Sequence, residues 1–318
     1  MAASGLVPSN RPGDGTVAIL GAGSLGRLWA GYLPAGTALF VPRTDSPDQS
    51  RYPVSYQLLC PDDTERPVTV AWFDPACQLP DLLLVTTKAQ DTLAALETVM
   101  PMLPEHTPVV LFQNGMGSQQ AVAARWPDRP VLAASTTEGA NRPAADITVH
   151  AGRGQTWLGA LTASANPVIT KVTETLASTG LEVIPTAAIL QRLWDKLIIN
   201  AGINPFTALL DCPNGDLLTA PLFLEHIDAL CREISQLLEA EKLPTASPQA
   251  LRQRIEQVAT ATASNTSSMR ADVQHGRATE IDYINGFMVS RGARLGLPMP
   301  VNQMLTEQVK QLSTNYGR

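Results

Sequence analysis

Residues 17–26 read Val-Ala-Ile-Leu-Gly-Ala-Gly-Ser-Leu-Gly, and this stretch decides the fold. A short apolar run with β-branched residues, Val17 to Leu20, ends directly in a GxGxxG pattern. A helical pattern follows from about Ser24 to Leu33. A strand, a glycine-rich turn and a helix in this order predict the beginning of a dinucleotide-binding unit.

Each glycine of the pattern has a defined task in such a loop. Gly21 allows the tight turn, Gly23 lets the backbone approach a pyrophosphate, and Gly26 lets the helix pack closely against the strand. The free N–H groups and the positive dipole end at the helix N-terminus favour an anion. A glycine-rich structural turn is the alternative. The position between strand and helix favours a cofactor loop made of Gly21, Ala22, Gly23, Ser24, Leu25 and Gly26.

Short apolar runs and helical patterns alternate through the first half of the chain. Such continuous apolar runs predict strands that are buried on both faces of a parallel sheet. The predicted strands are residues 17–20, 38–41, 82–86, 109–112, 131–134 and 181–184, with helices near 24–33 and 169–178. Residues 147–150 and 155–158 flank Ala-Gly-Arg-Gly, which predicts a hairpin that closes the sheet.

From about Ala188 onward the periodicity is almost entirely helical. The predicted fold class is therefore α/β, with an N-terminal Rossmann-type dinucleotide-binding domain followed by an all-helical C-terminal domain. We expect a flexible tail at residues 1–15, an NADP-binding Rossmann domain at residues 16–186 and a helical substrate and catalytic domain at residues 187–318. A cleft between two such domains is the usual place for a ligand.

Composition limits the possible partners of this chain. Its 318 residues fit two domains, and 44% hydrophobic against 16% charged residues supply a sizeable core. The formal net charge of -6 gives no general attraction to nucleic acid or to an anionic membrane. No apolar run reaches membrane-span length, the start lacks signal-peptide features, and the four cysteines form no CxxC pair. We expect a cytoplasmic protein with reduced thiols, no metal, and no nucleic-acid or membrane partner.

The residue after the second strand bears on the choice between NADH and NADPH. An acid at this position binds the ribose 2′-hydroxyl, whereas an arginine accommodates a 2′-phosphate. Arg43 occupies the position, and its planar guanidinium suits phosphate oxygens. We therefore predict NADPH as the cofactor. The alternatives are that Asp45 competes for the role, or that Arg43 is only an exposed loop charge.

Three candidate residues follow predicted strands, at the positions where ligands of open α/β sheets bind. Lys88 follows the strand at 82–86, Asn114 follows the strand at 109–112, and Ala140 ends the segment after the strand at 131–134. Position alone leaves plain loop residues as an equal alternative.

One helical face in the second half carries a cation and two amides. Lys196, Asn200 and Asn204 are spaced by four residues among leucines and isoleucines, which predicts one shared face. Hydride delivery to a ketone creates an alkoxide, and a partly buried lysine can donate the proton that this oxygen needs. The alternative is a solvated polar stripe on a helix that ends at Pro205.

Thr279 and Glu280 precede another helical segment. From the pattern alone, N-terminal capping and dipole compensation are the preferred explanation. The four histidines, His106, His150, His226 and His275, compete with Lys196 as proton donors, but none lies in a comparable group of polar residues.

From Thr16 onward the chain resembles the ketopantoate reductase (2-dehydropantoate 2-reductase) family. The motifs that carry the resemblance recur in the same order: Gly21 to Gly26, Asn114-Gly115-Met116-Gly117, Lys196 with Asn200 and Asn204, Cys212-Pro213-Asn214-Gly215, Asn265 to Met269, and Thr279 to Phe287. The GxGxxG pattern alone is shared by many reductases, whereas the ordered set is specific. The resemblance implies a Rossmann domain and a helical domain like that of 6-phosphogluconate dehydrogenase. It also implies NADPH-dependent reduction of 2-dehydropantoate to pantoate, on the route to pantothenate and coenzyme A.

The resemblance also implies roles for single residues. Lys196 becomes the general acid, and Glu280 becomes the carboxylate that orients the substrate near the nicotinamide ribose. Ser268 is implied to bind the substrate carboxylate. Cofactor binding is implied for Arg43, Lys88, Asn114, Ala140 and Glu280 beside the glycine loop, and substrate binding for Asn114, Lys196, Asn200, Asn204, Asn214 and Ser268.

Two other functions remain open at this point. One is a related reductase of another small 2-keto acid, and the other is a non-catalytic NADPH-binding sensor. The presence of both Lys196 and Glu280 argues against the sensor. The sequence leaves a monomer and a homodimer equally open.

Overall fold

The computed structural model of the protein describes residues 15–43 and 52–316. The predicted tail therefore lies outside the described residues except for Gly15, and so does Asp45, the acid that could compete with Arg43. The described residues form two compact units. One comprises the residues up to Gln113 together with Gln119–Ile189, and the other comprises Asn114–Ser118 and the residues from Leu190 onward.

The first unit is built on one large sheet. Its strands are β1 (Val17–Leu20), β2 (Ala38–Phe40), β3 (Val54–Leu59), β4 (Glu65–Trp72), β5 (Leu82–Val85), β6 (Val109–Leu111), β7 (Val131–Thr136), β8 (Gly139–Ala144), β9 (Ile147–Gly152), β10 (Gln155–Ala160) and β11 (Glu182–Pro185). Their order in the sheet is β11-β10-β7-β6-β5-β1-β2-β4-β3-β9-β8. The six strands from β7 to β4 pair in parallel, as the continuous apolar runs predict.

Helices cover both faces of this sheet. They are α1 (Ser24–Tyr32), α2 (Ala89–Val99), α3 (Ser118–Arg125) and α4 (Ile169–Ala177). Along β1, Val17 and Ile19 belong to the core that contains Leu28 of α1, whereas Ala18 lies in the core that contains Leu96 of α2. Successive strand residues point to opposite faces, so a strand without polar residues is buried on both sides.

The predicted hairpin between residues 147–150 and 155–158 is wrong. These residues form β9 and β10, but β9 pairs with β8 and β3, whereas β10 pairs with β7 and β11. Glu138 stabilises the connection between β9 and β10. Its carboxylate accepts a hydrogen bond from Gly154 N–H at 3.0 Å and lies 2.7 Å from His150 Nε2. The true partner, β8, reads Gly-Ala-Asn-Arg-Pro-Ala and has no apolar alternation that could reveal it.

The second unit is helical throughout its described residues. Its helices are α5 (Ile189–Leu210), α6 (Pro221–Ala240), α7 (Pro248–Ala261), α8 (Ser268–Gln274), α9 (Asn285–Leu295) and α10 (Pro300–Tyr316). The parallel-sheet unit and this helical unit confirm the predicted fold class. Every helix among the described residues falls short of the length and apolar character that a membrane crossing needs.

Helix α5 continues through Pro205, so the idea that the helix ends there is wrong. Proline has no N–H and leaves the carbonyl four residues earlier, that of Ala201, without its helical partner. The Asn285 side-chain amide donates to this carbonyl at 3.3 Å and to Asn302 Oδ1 at 3.0 Å. A buried side chain from α9 thus replaces the lost backbone bond and lets α5 run on to Leu210.

A buried carboxylate holds the beginning of α10. Glu233 on α6 accepts bonds from the backbone N–H groups of Val301 at 2.7 Å and Asn302 at 3.1 Å, and from the Asn302 side chain at 2.8 Å. The first N–H groups of a helix have no partner within the helix, and a negative charge there also stabilises the helix dipole. Glu233 therefore joins α6 to α10 and satisfies donors that are otherwise buried without partners.

We expect Glu233→Gln to lower the free energy of unfolding by about 1–3 kcal/mol, because charge-assisted hydrogen bonds inside the protein are weakened. The measurement is urea denaturation of both proteins. Glu225→Gln is the matched control, since Glu225 is exposed on the same helix. Equal losses in the two variants would show that Glu233 contributes no more than a surface charge.

Candidate active site

The glycine loop has the geometry that a dinucleotide pyrophosphate needs. Gly21 has φ of +113°, a region that favours glycine. A Cβ on Gly26 would overlap the Gly21 carbonyl oxygen, which explains the close packing of helix α1 on β1. A Cβ on Gly23 would meet no described heavy atom within 4 Å. The loop is thus tightly packed behind Gly21 and Gly26 and open at Gly23, the position where a pyrophosphate approaches.

Thr86 supports this loop and was not among the predicted site residues. Its hydroxyl donates to the Gly21 carbonyl at 2.7 Å from the end of β5, the strand beside β1. The signal in the sequence is the pair Thr86-Thr87 directly after an apolar strand, but only the strand order shows which loop the hydroxyl reaches.

The remaining predicted cofactor residues of this unit occupy three different positions. Arg43 is exposed and follows β2, and Lys88 is the residue that precedes α2. Ala140 lies on β8, where it pairs with His150 of β9. The structure thus distributes them over a loop, a helix start and an edge hairpin of the same unit.

Lys196 has a strongly perturbed pKa. It lies half-buried on α5, and burial lowers the pKa of its ammonium group to about 8, while the nearby Glu280 carboxylate opposes the shift. A lysine with a pKa near neutrality can exchange a proton under ordinary conditions. The sequence predicts this proton-donating property for Lys196.

Asn114 and Glu280, 166 residues apart in the chain, meet in the same unit. The Asn114 side-chain amide donates to Glu280 Oε2 at 3.3 Å. The contact follows from residues 114–118, which belong to the helical unit although the chain on either side belongs to the sheet unit. Asn114, Lys196 and Glu280 therefore form one polar group. Glu280 accepts a hydrogen bond from Asn114 and raises the pKa of Lys196.

A close backbone approach holds Asn114 in place. The Met116 N–H donates to the Tyr283 carbonyl at 2.8 Å. Gly115 has φ of +77°, and a Cβ there would overlap the same carbonyl oxygen. Tyr283 and Glu280 are the two ends of one turn, because Tyr283 N–H bonds to the Glu280 carbonyl at 3.0 Å. The segment that carries Asn114 is thus packed on the turn that carries Glu280.

Helix capping does not account for the Glu280 side chain. Glu280 precedes the short 3-10 turn Ile281–Tyr283, but its carboxylate makes no capping hydrogen bond there. The Glu280 side chain therefore does not supply the capping that the pattern alone favours, and dipole compensation stays a prediction. The carboxylate instead lies beside Asn114 and raises the pKa of Lys196 against the effect of burial.

The other predicted substrate residues lie along α5 and at two helix starts. Asn200 is half-buried and Asn204 is buried, one and two turns after Lys196. Asn214 is buried, and its side-chain amide donates to Thr262 Oγ1 at 2.9 Å, while its Oδ1 has no partner among the described residues.

Ser267 and Ser268 have different environments at the start of α8. Ser267 is buried, accepts a bond from Arg270 N–H at 3.1 Å and lies 2.7 Å from Thr207 Oγ1. The Thr207 hydroxyl in turn bonds to the Asn204 carbonyl at 2.9 Å, so α8 is fixed to α5 at this level. Ser267 supplies the helix cap, and the neighbouring Ser268 is exposed and free of that task.

Two family models match most of the chain. A family model described as "Ketopantoate reductase PanE/ApbA" matches residues 17–163, and one described as "Ketopantoate reductase PanE/ApbA C terminal" matches residues 188–313. A 2-dehydropantoate 2-reductase of Vibrio cholerae is 36% identical over 309 residues, which are 95% of this chain and 99% of that protein.

Solved structures give the same result for the fold. A PanE/ApbA family ketopantoate reductase from Ralstonia eutropha JMP134 has a TM-score of 0.82 and 25% identity, with 95% of this chain and 100% of that chain covered. D-mandelate dehydrogenase, solved with NADH and anilino(oxo)acetate, has a TM-score of 0.83 at 20% identity, with 95% and 99% covered. Because the family models span most of the sequence and the Vibrio cholerae relative matches over nearly its full length, the chain belongs to the ketopantoate reductase family.

Proposed function

We propose that this protein catalyses the NADPH-dependent reduction of 2-dehydropantoate to pantoate, a step of pantothenate and coenzyme A biosynthesis. The observation that carries the proposal is the group formed by Lys196, Glu280 and Asn114 in a chain of this family. It combines a proton donor of suitable pKa, a carboxylate and an amide at one place. In this proposal residues 16–186 bind the cofactor, and residues 187–318 hold the substrate and supply the acid.

The cofactor is held by the glycine loop, with its pyrophosphate at Gly21 to Gly26. When bound, the nicotinamide supplies the hydride that the keto carbon receives. Arg43 supports the choice of NADPH, because an exposed guanidinium three residues after the end of β2 suits a 2′-phosphate. Lys88, Ala140, Asn114 and Glu280 would also contact the cofactor.

The helical unit supplies groups for each polar part of a small hydroxylated keto acid. Ser268 binds the substrate carboxylate through its exposed hydroxyl. Glu280 accepts a hydrogen bond from the substrate hydroxyl, with the amides of Asn200, Asn204 and Asn214 beside it. The partner of the enzyme is therefore a small 2-keto acid.

Lys196 acts as the general acid in this mechanism. Its ammonium group first stabilises the polarised ketone oxygen and then gives that oxygen a proton as the alkoxide forms. Burial makes the proton easy to lose, and Glu280 keeps the lysine protonated at neutral pH. These two effects together give an acid that is both charged and reactive, without a metal ion.

A test of the whole proposal follows the loss of NADPH absorbance after addition of 2-dehydropantoate, with NADH and pyruvate as controls. We expect rapid loss only with NADPH and 2-dehydropantoate. Arg43→Ser should raise KM for NADPH at least tenfold and leave KM for NADH unchanged, because NADH has no 2′-phosphate for the guanidinium to bind.

Two outcomes of that assay would contradict parts of the proposal. Bound NADPH that is consumed only with another keto acid would assign the enzyme to a related reductase. NADPH that binds but is not consumed with any of the keto acids would leave a non-catalytic cofactor sensor. Gel filtration of the same protein separates a monomer from a homodimer.

The acid role of Lys196 predicts a pH profile. Since the acid must be protonated, kcat/KM for reduction should be constant below about pH 8 and fall above it as the ammonium group loses its proton. Glu280→Gln removes the charge that raises the pKa of Lys196, so the fall should begin at a lower pH. In Lys196→Met, kcat should be reduced by about 10²–10⁴-fold, and the decrease of kcat/KM at alkaline pH should disappear.

Asp282→Asn is the matched control for the pH profile. Asp282 is exposed two residues after Glu280 and pairs with Lys310, so its removal should leave the alkaline limb in place. An alkaline limb that stays at the same pH in Glu280→Gln would contradict the coupling between this carboxylate and Lys196.

The close approach at Gly115 predicts a loss of rate without a loss of fold. In Gly115→Ala the new Cβ overlaps the Tyr283 carbonyl and moves Asn114 away from Glu280, so we expect kcat/KM to fall at least tenfold. Gly296→Ala is the control, because Gly296 has φ of +72° but no described atom within 4 Å of a Cβ. Equal rates for the two alanine variants would show that only the left-handed conformation matters.

A further inference from the structure

The sheet unit contains a buried cation to which the proposed mechanism gives no task. Arg27 directly follows Gly26 in α1 and is 8% exposed. Among the residues that the structure describes, no carboxylate forms an ion pair with it. A buried guanidinium normally requires an anion or several strong acceptors, because removal of its hydration is costly.

The acceptors of Arg27 come from two separate backbone segments. Its Nε donates to the Ala22 carbonyl inside the glycine loop at 3.2 Å, and its Nη1 donates to the Ala145 carbonyl at 2.6 Å. Ala145 lies in the turn between β8 and β9. The guanidinium therefore connects the glycine loop to this hairpin turn.

Tyr56 of β3 fixes the arginine from a second side. Its ring lies 5.0 Å from the guanidinium carbon, and its hydroxyl donates to the Arg27 carbonyl at 2.6 Å. Both the side chain and the backbone of Arg27 are thus held, which limits the positions from which the guanidinium can reach Ala22.

The bonds from Arg27 determine where the loop N–H groups point. The Arg27 side chain binds the Ala22 carbonyl, and the Arg27 N–H binds the Gly23 carbonyl at 3.0 Å. No peptide bond of the described chain is cis, so the N–H of each following residue, Gly23 and Ser24, points away from these carbonyls. Two successive N–H groups are therefore turned away from Arg27 on the loop, whose surface is open at Gly23. Such an arrangement binds anions.

The charge of Arg27 favours the same ligand. Burial lowers the pKa of the guanidinium, and Arg142 lowers it further, but an arginine remains charged under all ordinary conditions. Within the described residues the guanidinium donates to carbonyl oxygens, stacks on a tyrosine ring and lies near a second cation, Arg142. A pyrophosphate on the neighbouring loop would add negative charge close to a cation that has no carboxylate partner in the described part of the chain.

We infer that Arg27 is a positioning residue for dinucleotide binding, which holds the Ala22–Gly23 peptide for the pyrophosphate and ties it to the turn between β8 and β9. This inference rests on the proposed cofactor role of the glycine loop. The fork of the guanidinium is essential, because a single ammonium group cannot serve the Ala22 and Ala145 carbonyls in the same way.

The test compares two ligands in binding titrations. NADPH carries the pyrophosphate, whereas adenosine 2′-monophosphate carries the adenine and the 2′-phosphate without it. We expect Arg27→Met to weaken NADPH binding about 10–100-fold and to change the binding of adenosine 2′-monophosphate less than twofold. Arg27→Lys should weaken NADPH binding about 3–10-fold, again without an effect on the second ligand.

Arg66→Met is the matched control. Arg66 also stacks on a tyrosine of this unit, 4.9 Å from the ring of Tyr32, but it is exposed and lies on β4 away from the loop sequence. NADPH binding by Arg66→Met should equal that of the unaltered protein. Salt titrations of both variants separate a local effect from the general loss of one positive charge.

The possible failures are distinguishable. Equal losses for both ligands in Arg27→Met would reduce Arg27 to a structural residue and overturn the inference. If Arg27→Met does not fold, a folded Arg27→Lys with unaltered NADPH affinity would overturn it equally. Failure of the unaltered protein to bind NADPH would overturn the proposed cofactor together with this role, whereas loss of the Arg27 effect alone leaves the proposed function intact.

Discussion

The contact between Gly115 and the Tyr283 carbonyl is the constraint on which the candidate site depends. The chain leaves the sheet unit after Gln113, contributes five residues to the helical unit and returns at Gln119. Only a glycine can bring the backbone so close to the turn at residues 280–283. The Met116 hydrogen bond then holds the segment, and Asn114 is placed against the Glu280 carboxylate. Without this approach, Asn114 would be a loop residue at the end of a strand, one of the two explanations that its position in the sequence leaves open.

The sequence predicts those parts of the fold whose burial is uniform. Strands β1, β5, β6 and β7 are apolar on both faces, and this is visible as continuous runs of hydrophobic residues. Strands β3, β4 and β8 are partly exposed and carry polar residues, and β4 and β8 each contain a proline, so their sequences resemble loops. The hairpin prediction fails for the same reason. The pairing partner of β9 is β8, whose polar sequence does not indicate a strand. The helix end predicted at Pro205 is wrong because the Asn285 side chain, which replaces the lost backbone hydrogen bond, lies 80 residues further along the chain.

The candidate site likewise contains residues that the sequence pattern predicts and residues that it does not. The spacing of Lys196, Asn200 and Asn204 is a property of one helix and could be inferred from periodicity. The contact of Asn114 with Glu280 joins residues 166 positions apart, and only the family resemblance placed both at one site. Thr86 and Arg27 act on the glycine loop through carbonyl oxygens, and backbone acceptors leave no trace in a sequence pattern. Residues that position a loop are therefore harder to find than residues that carry its chemistry.

In the mechanism proposed above, neither member of the Lys196–Glu280 pair suffices alone. Burial favours the neutral amine, and a lysine shifted by burial alone would lose its proton before the ketone oxygen needs it. A carboxylate alone, beside a solvated lysine, would hold the proton too firmly for transfer. Half-burial on α5 together with Glu280 leaves the pKa at about 8, close to the range where an acid both carries and releases its proton. Glu280 itself accepts a hydrogen bond from Asn114. The polar group of the helical unit thus includes one of five residues that come from the other half of the sequence.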